Sequence, residues 1–182
     1  LKDIDLEILA NSDLESLSQA ASEAIDRKYK LISAEGSFEP VIDYQAYLPY
    51  SPFLTEEMND YINLKAMESN KPALLDAAIA VDNAKYIQRI LKSMGYLQKY
   101  SESPRLEEIK QYAIARISIY LRGIDNSPVF DYSQKILPDK LAEFESNVQE
   151  YVGTDFGYII ADYLSLLQQE DYTKTQAVDM IL

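Results

Sequence analysis

The sequence contains neither cysteine nor histidine among its 182 residues. Without cysteine there can be no disulfide, no thiolate nucleophile and no cysteine-ligated metal. Without histidine the Ser-His-Asp and Cys-His arrangements, the usual zinc sites and the Glu-x-x-His pattern of di-iron bundles are excluded as well. We therefore expect no metal, no cofactor and no catalytic residue, and an enzyme would have to rely on carboxylates, tyrosine or a Ser/Lys pair.

Long apolar runs are also missing. A membrane-spanning helix needs roughly 18 consecutive apolar residues, and the longest apolar patches are interrupted by Asp76 and Asp82 or by Asp155 and Asp162. The sequence therefore predicts no transmembrane segment and a soluble protein, either cytoplasmic or exported after removal of a signal. The chain begins at Leu1 rather than Met, and its last helical pattern runs to the final residues, so we expect it to be a piece of a longer protein.

The strongest pattern in the chain is a pair of helical stretches in its middle. Pro72 stands at a first-turn position, and apolar residues at helical spacing follow as far as Leu97, which predicts one helix over residues 72–97. A second pattern runs from Ser103 to Gly123. Because the connection between them is short, we expect an antiparallel helical hairpin with the first helix at the centre of the fold.

The remaining segments add further helices. Helical patterns run from Ser12 to about residue 34 with a stop at Gly36, from Thr55 to about residue 70, and over three stretches that begin at Pro138, Thr154 and Thr173. The aromatic, proline-containing stretch 38–53 and the stretch 124–137 are predicted as ordered loops. We expect a single all-α domain over residues 1–182, a helical bundle or helical-repeat-like domain of six to eight helices.

Three short sequence matches indicate an internal duplication. They occur in the same order and at nearly constant spacing in the two halves of the chain, 13–99 and 104–182. Each half of about 90 residues would be too small to bury its own apolar faces well, so we expect the halves to share one core. The matched segments are 14–21 with 106–113, 40–44 with 128–132, and 48–49 with 137–138.

Basic residues are concentrated in one region of an acidic chain. Between Lys85 and Arg122 there are eight basic and three acidic residues, whereas the net charge of the whole chain is −13. On a helical wheel one group of these residues, with a tyrosine among them, forms a basic stripe. The stripe is either a solvated face paired with acidic helices of the same chain or a docking face for an acidic or phosphate-bearing partner. Its residues are Lys85, Arg89, Lys92, Tyr96 and Lys99.

Two further candidates are the Asp-Tyr pairs of the matched segments. Asp43-Tyr44 and Asp131-Tyr132 are either equivalent polar sites or turns in which Asp caps the backbone and Tyr packs at the rim. The aromatic stretch 38–53 is either a recognition surface or a loop held on its own domain by its rings.

Three function classes remain open at this point. The leading hypothesis is a non-enzymatic protein–protein interaction module, an adapter or assembly subunit, because the chain has a substantial core and no catalytic residues. The alternative is a helical binding protein for a small apolar or aromatic ligand in a Tyr-lined cavity, and the third is an enzyme that uses carboxylates. A duplex nucleic acid is disfavoured by the net charge of −13. A Tyr-lined cavity of ligand size would favour the small-ligand protein over the adapter.

Overall fold

The computed structural model describes residues 6–34 and 37–180 of the chain. Those residues are mostly helical, as predicted, and they also form three small two-stranded sheets that the sequence did not predict. The helices are α1 (Leu6–Ala10), α2 (Glu15–Asp26), a 3₁₀ helix (Tyr44–Phe53), α3 (Glu56–Asn70), α4 (Asn83–Lys99), α5 (Leu106–Arg122), α6 (Pro138–Glu150), α7 (Asp155–Gln169) and α8 (Gln176–Asp179). The strands are β1 (Tyr29–Ala34), β2 (Ser37–Ile42), β3 (Leu74–Leu75), β4 (Ala78–Ile79), β5 (Gly123–Ile124) and β6 (Ser127–Pro128).

The chain divides into two compact units. The first unit consists of residues 1–76 and 80–89, and the second consists of residues 77–79 and 90–182. Each unit has buried apolar side chains of its own. In the first unit they come chiefly from α3 and from the first turns of α4, with Ile62, Leu64, Ala66, Tyr86 and Ile87 among them.

A β-hairpin replaces the second half of the helix predicted from Ser12 to residue 34. Strands β1 and β2 are antiparallel, with Tyr29 opposite Ile42 and Leu31 opposite Pro40. Helix α2 stops before them because Lys28 adopts a left-handed conformation, with φ at 61°, and the β-branched and aromatic residues that follow favour a strand. The predicted stop at Gly36 lies outside the described residues.

The stretch 38–53 is more regular than the predicted loop. It completes β2 and then forms the 3₁₀ helix, which contains Pro49 and Pro52. The Asp43 carboxylate caps this helix by accepting a hydrogen bond from the Gln45 N–H. The 3₁₀ helix packs on α3, so the aromatic stretch is held on a helix as expected.

The prediction of a helix over residues 72–97 was wrong in its first eleven residues. Residues 74–75 and 78–79 are strands, and Asp76 and Ala77 have φ values of 49° and 54°. Helix α4 begins only after Asp82, whose carboxylate accepts a hydrogen bond from the Lys85 N–H at 2.9 Å. A short apolar run suits buried strands as well as a buried helix, and here the cap at Asp82 fixes the helix start.

Helices α5, α6 and α7 supply many of the buried side chains of the second unit, and all three were predicted. Buried residues recur every three or four positions along each of them, which is the spacing of one helix face. Thr154 caps α7 as expected, with its hydroxyl accepting from the Gly157 N–H at 3.1 Å, and Pro138 is the first residue of α6. The fully or nearly fully buried side chains include Ile109, Ala113, Ile117, Tyr120 and Leu121 of α5, Phe144 of α6, and Phe156, Ile160, Tyr163 and Leu167 of α7.

The matched segments of the two halves share some local structure but not all of it. The first pair lies at the starts of α2 and α5, and the second pair ends in each half with an Asp that caps a turn. The third pair differs, because residues 48–49 lie inside the 3₁₀ helix whereas residues 137–138 start α6. The internal duplication therefore stays a prediction.

Candidate ligand-binding groove

The residues of the predicted basic stripe do not all reach the surface. Lys85 is exposed and pairs with Asp82 at 2.6 Å. Arg89 is only 5% exposed. Its guanidinium lies 2.8 Å from a carboxylate oxygen of Glu68 and donates to the backbone oxygen of Lys71 at 2.6 Å. Arg89 is thus a buried internal partner of α3 rather than an exposed cation.

Tyr96 is buried as well. Its hydroxyl is hydrogen-bonded to the Ser103 hydroxyl at 2.9 Å, and its ring lies 4.9 Å from the ring of Tyr100. Lys92 and Lys99 are exposed, and the Lys99 ammonium lies 5.0 Å from the centre of the Tyr100 ring. Docking of an acidic partner on this stripe stays a prediction, with three of its five side chains at the surface.

The two Asp-Tyr pairs have similar turns but different surroundings. Asp43 accepts from the Gln45 N–H at 3.2 Å, and Asp131 accepts from the Ser133 N–H at 2.8 Å, so both carboxylates cap the chain two residues on. Tyr44, however, lies among other aromatic rings, whereas the side chain of Tyr132 is fully exposed. The two pairs therefore do not make equivalent sites.

The first unit contains a cavity of about 630 Å³, which we call the tyrosine groove. It is open to solvent on one side, since Phe53 is 86% exposed and Tyr50 is 52% exposed. The groove is lined by Lys28, Ile42, Tyr44, Tyr47, Tyr50, Phe53, Leu54, Met58, Tyr61 and Ile62.

The 3₁₀ helix supplies one wall of the groove through its three-residue period. Residues three positions apart lie above one another on a 3₁₀ helix, and here positions 44, 47, 50 and 53 are all aromatic. Helix α3 supplies the facing wall with Met58, Tyr61 and Ile62, which share one side of an α-helix. This three-residue spacing of aromatic residues is the sequence signal for a 3₁₀ face, and the prediction of a loop over residues 38–53 did not take it into account.

The rings within the groove support one another. Tyr44 contacts Tyr61 edge to face, with the ring centres 6.1 Å apart, and lies 6.4 Å from the centre of the Tyr47 ring. Edge-to-face pairs of this kind are favourable beyond the area that they bury. Pro49 and Pro52 restrict the backbone that carries the rings. The wall of the groove is therefore largely formed before anything binds.

The polar groups of the groove are few. Lys28 is the one charged residue among the ten that line it. Close by, the Asp43 carboxylate lies 3.2 Å from the ammonium of Lys30. The ammonium of Lys65 lies 5.6 Å from the centre of the Tyr44 ring and 5.9 Å from that of Tyr61. The groove is thus an apolar, aromatic surface with cations at its edge.

The second unit has a smaller cavity, of about 300 Å³, between α6 and α7. Its lining mixes apolar residues with Glu145, Ser165 and Gln168, and it contains a single aromatic residue, Tyr172. Its volume is at the lower end of the range for ligand sites. The tyrosine groove is the better candidate by both size and lining.

Over residues 6–34 and 37–180 none of the helices combines the length and apolar character that a bilayer crossing requires. Nor do those residues bring together three or more acidic side chains in a way that could hold a metal ion. No protein-family model, curated protein or solved structure matches this chain.

Proposed function

We propose that this protein binds a small apolar or aromatic ligand in the tyrosine groove. The observation that carries the proposal is a solvent-open cavity of about 630 Å³ walled by four tyrosines and a phenylalanine. Sites for small molecules typically have volumes of roughly 300–1,000 Å³ and mostly apolar linings with a few polar groups. The tyrosine groove fits both criteria.

The exposed rings at the mouth of the groove support the same conclusion. Phe53 and Tyr50 hold large apolar surfaces in water, and such surfaces next to a concave wall are typical of interaction sites. Tyrosine also offers a large contact area at a low cost in side-chain entropy. A ligand seated between the 3₁₀ helix and α3 would remove these rings from solvent.

The lining favours binding over catalysis. Acid–base chemistry needs titratable groups that converge on a reacting atom, and the lining contains one lysine and no carboxylate. We therefore propose a carrier, sensor or ligand-dependent module rather than an enzyme that acts at this groove. An adapter that docks an acidic partner on the basic stripe is a separate proposal, weakened by the burial of Arg89 and Tyr96.

A neutral aromatic probe tests the proposal. We expect naphthalenemethanol to bind with a stoichiometry of about one per chain, measured by isothermal titration calorimetry. Tyr47→Ala and Phe53→Ala should each weaken binding about tenfold, which corresponds to ~1.4 kcal/mol of lost contact. Tyr132→Ala is the matched control, because this tyrosine is fully exposed and lies outside the groove.

Two results would contradict the proposed function. One is the absence of saturable binding to the unmodified chain. The other is binding that the control variant and the groove variants weaken equally, which would place the probe elsewhere. Thermal denaturation of each variant shows whether its fold is intact.

A further inference from the structure

We propose that the natural ligand of the tyrosine groove is a small apolar monoanion, an aromatic or aliphatic carboxylate, whose acid group is held by Lys28 while its body lies against the tyrosine rings. This inference rests on the proposed function and adds the chemical class of the ligand. It starts from the position of the one cation in the lining.

The backbone of Lys28 is fixed on both sides. Its N–H donates to the backbone oxygen of Ile25 at 2.9 Å, and its own carbonyl oxygen accepts from the Asp43 N–H at 2.7 Å. These bonds hold the residue between α2 and β1, in contact with the wall of the groove. The backbone that carries the Lys28 side chain is therefore held in place at the groove.

The conformation of Lys28 is one that lysine rarely adopts. Its φ of 61° lies in the left-handed region, where glycine or asparagine is the unstrained choice. Strained positions of this kind concentrate at ligand sites, where the side chain has a role that offsets the strain. A lysine at this position is thus better explained by its charge than by its backbone.

The nearby carboxylate does not neutralise Lys28. Asp43 is occupied by the ammonium of Lys30 and by the Gln45 N–H, and Lys30 donates in addition to the Asn70 side chain at 2.9 Å. Within the described residues no carboxylate lies within ion-pair distance of Lys28. Among the described residues its ammonium thus has no carboxylate partner, and a carboxylate bound in the groove that Lys28 lines would supply one.

A second cation lies on the same rings. The ammonium of Lys65 lies over Tyr44 and Tyr61, two of the rings that line the groove. An aromatic cage would otherwise attract a cationic ligand, and a lysine in the lining of the groove disfavours one. The net charge of −13 opposes anions at long range, but charges beyond about 8 Å are screened at physiological salt whereas a contact pair is not.

The hydrogen-bond donors in the groove lining indicate whether a carboxylate or a phosphate fits there. A lysine ammonium is a compact point charge, whereas phosphate groups are usually held by several donors or by the planar fork of arginine. The groove lining contains one lysine and no arginine. It therefore fits a single carboxylate better than a phosphate ester. The large apolar remainder of the lining fits an aromatic or hydrocarbon body.

A matched pair of probes tests this inference. Naphthaleneacetate and naphthalenemethanol share one ring system, and only the first carries a charge near neutral pH. We expect the chain to bind the anion about fivefold to tenfold more tightly at low salt, which is the strength of a partly exposed ion pair. Added salt should reduce this preference. Lys28→Met should remove this preference, because the variant lacks the ammonium group that distinguishes the charged probe from the neutral one.

Two further variants separate the charge from the backbone. Lys28→Gly relieves the left-handed strain, so it should raise the melting temperature and at the same time lose the preference for the anion. Arg27→Met is the matched control, since Arg27 is adjacent in sequence, exposed and outside the groove lining. It should keep the preference.

The possible outcomes distinguish this inference from the proposed function. If neither probe binds, the proposed function fails and this inference fails with it. If both probes bind the unmodified chain equally well, the groove is a binding site but the ligand is not selected as an anion. If the preference survives in Lys28→Met or in Lys28→Gly, the assignment to Lys28 is wrong.

Discussion

The two units of this protein use aromatic residues in opposite ways. In the first unit the rings of the tyrosine groove lie at the surface, and Phe53 is 86% exposed. In the second unit a closed cluster of four rings, with 0–3% of each residue exposed, sits inside the core. The closed cluster consists of Tyr120, Phe144, Phe156 and Tyr163, whose neighbouring ring centres are 5.2–6.0 Å apart.

The difference comes from the number of elements that cover the rings. Helices α5, α6 and α7 each contribute to the closed cluster, so its rings are enclosed from several directions. The groove rings come from one face of the 3₁₀ helix and one face of α3, and two elements leave one side open. The same residue type thus lies inside the core of one unit and at a solvent-open surface of the other.

The tyrosine hydroxyl groups of the closed cluster and of the groove also differ in their surroundings. In the closed cluster the Asn147 side chain donates to the Tyr120 hydroxyl at 2.5 Å, and the Tyr163 hydroxyl donates to the backbone oxygen of Leu121 at 2.9 Å. Buried hydroxyls need such partners because water cannot reach them. A hydroxyl at the open face of the groove can be hydrated instead.

The largest expected effect is the loss of stability when a ring of the closed cluster, rather than a ring of the groove, is removed. Phe144→Ala should lower the free energy of unfolding by about 4 kcal/mol, because it leaves a cavity among fully buried rings. Phe53→Ala is the same substitution in the groove and should change the free energy by less than about 0.5 kcal/mol. Urea denaturation measures both. Similar losses in the two variants would show that the groove rings are part of the core.

A second substitution tests whether the buried ion pair of Arg89 with Glu68 stabilises the first unit, whose groove rings are exposed. Arg89→Met should cost about 3 kcal/mol, because the part-buried Glu68 carboxylate loses its cation and the Lys71 carbonyl oxygen loses the guanidinium donor. Arg27→Met removes an exposed ion pair with Glu23 and should cost about 0–0.5 kcal/mol. If the two variants denature at the same urea concentration, Arg89 is not a structural residue. The basic-stripe proposal would then regain support.

A third pair of variants compares the hydroxyls. Tyr120→Phe should lower the free energy of unfolding by about 2 kcal/mol, because the Asn147 amide loses its acceptor in a buried place. Tyr47→Phe, in the groove, should be nearly neutral. Thermal denaturation at matched protein concentration measures the difference. If Tyr47→Phe lowered the free energy of unfolding more than Tyr120→Phe, the Tyr47 hydroxyl rather than the Tyr120 hydroxyl would be the stabilising one.

Alkaline pH gives the smallest expected effect. Burial raises the pKa of Tyr120 and the pKa of Tyr163 above the ordinary value of 10.0. The unfolded chain loses these protons from about pH 10 upward while the folded chain keeps them, so stability that is complete below pH 10 falls as the pH rises. We expect a loss of about 1 kcal/mol per tyrosine at about pH 10.5.

The double variant Tyr120→Phe with Tyr163→Phe checks this assignment. It should be less stable at neutral pH but lose less further stability between about pH 9 and pH 10.5, because two titrating groups are gone. Urea denaturation at each pH measures the slope. An unchanged slope would show that other groups control the alkaline behaviour.

The sequence predicted best where short-range signals decide the structure. Thr55 and Thr154 cap α3 and α7, Pro138 starts α6, and Gly123 ends α5 in a positive-φ conformation. Each of these signals acts within one helical turn, so it can be read without knowing the rest of the fold. The aromatic face of the 3₁₀ helix is also encoded locally, as aromatic residues at every third position from 44 to 53.

Predictions failed where a local pattern suits two structures. Residues 29–34 and 72–81 are apolar enough for a buried helix or a buried strand, and their partners decide between the two. Strand β1 exists because β2 pairs with it, and the left-handed residue Lys28 directs the chain into that hairpin. The apolar spacing of residues 29–34 indicates neither the pairing with β2 nor the left-handed conformation of Lys28.

By itself the sequence determined the mostly helical class, the positions of several caps and the exclusion of cysteine and histidine chemistry. These are properties of residue types and of neighbours within a few positions. Only the tertiary structure decided that Arg89 is buried, that the rings of Phe144 and Phe156 are closed in and that Phe53 is left open. Burial depends on how many elements distant in sequence meet over a side chain, and composition does not record that number.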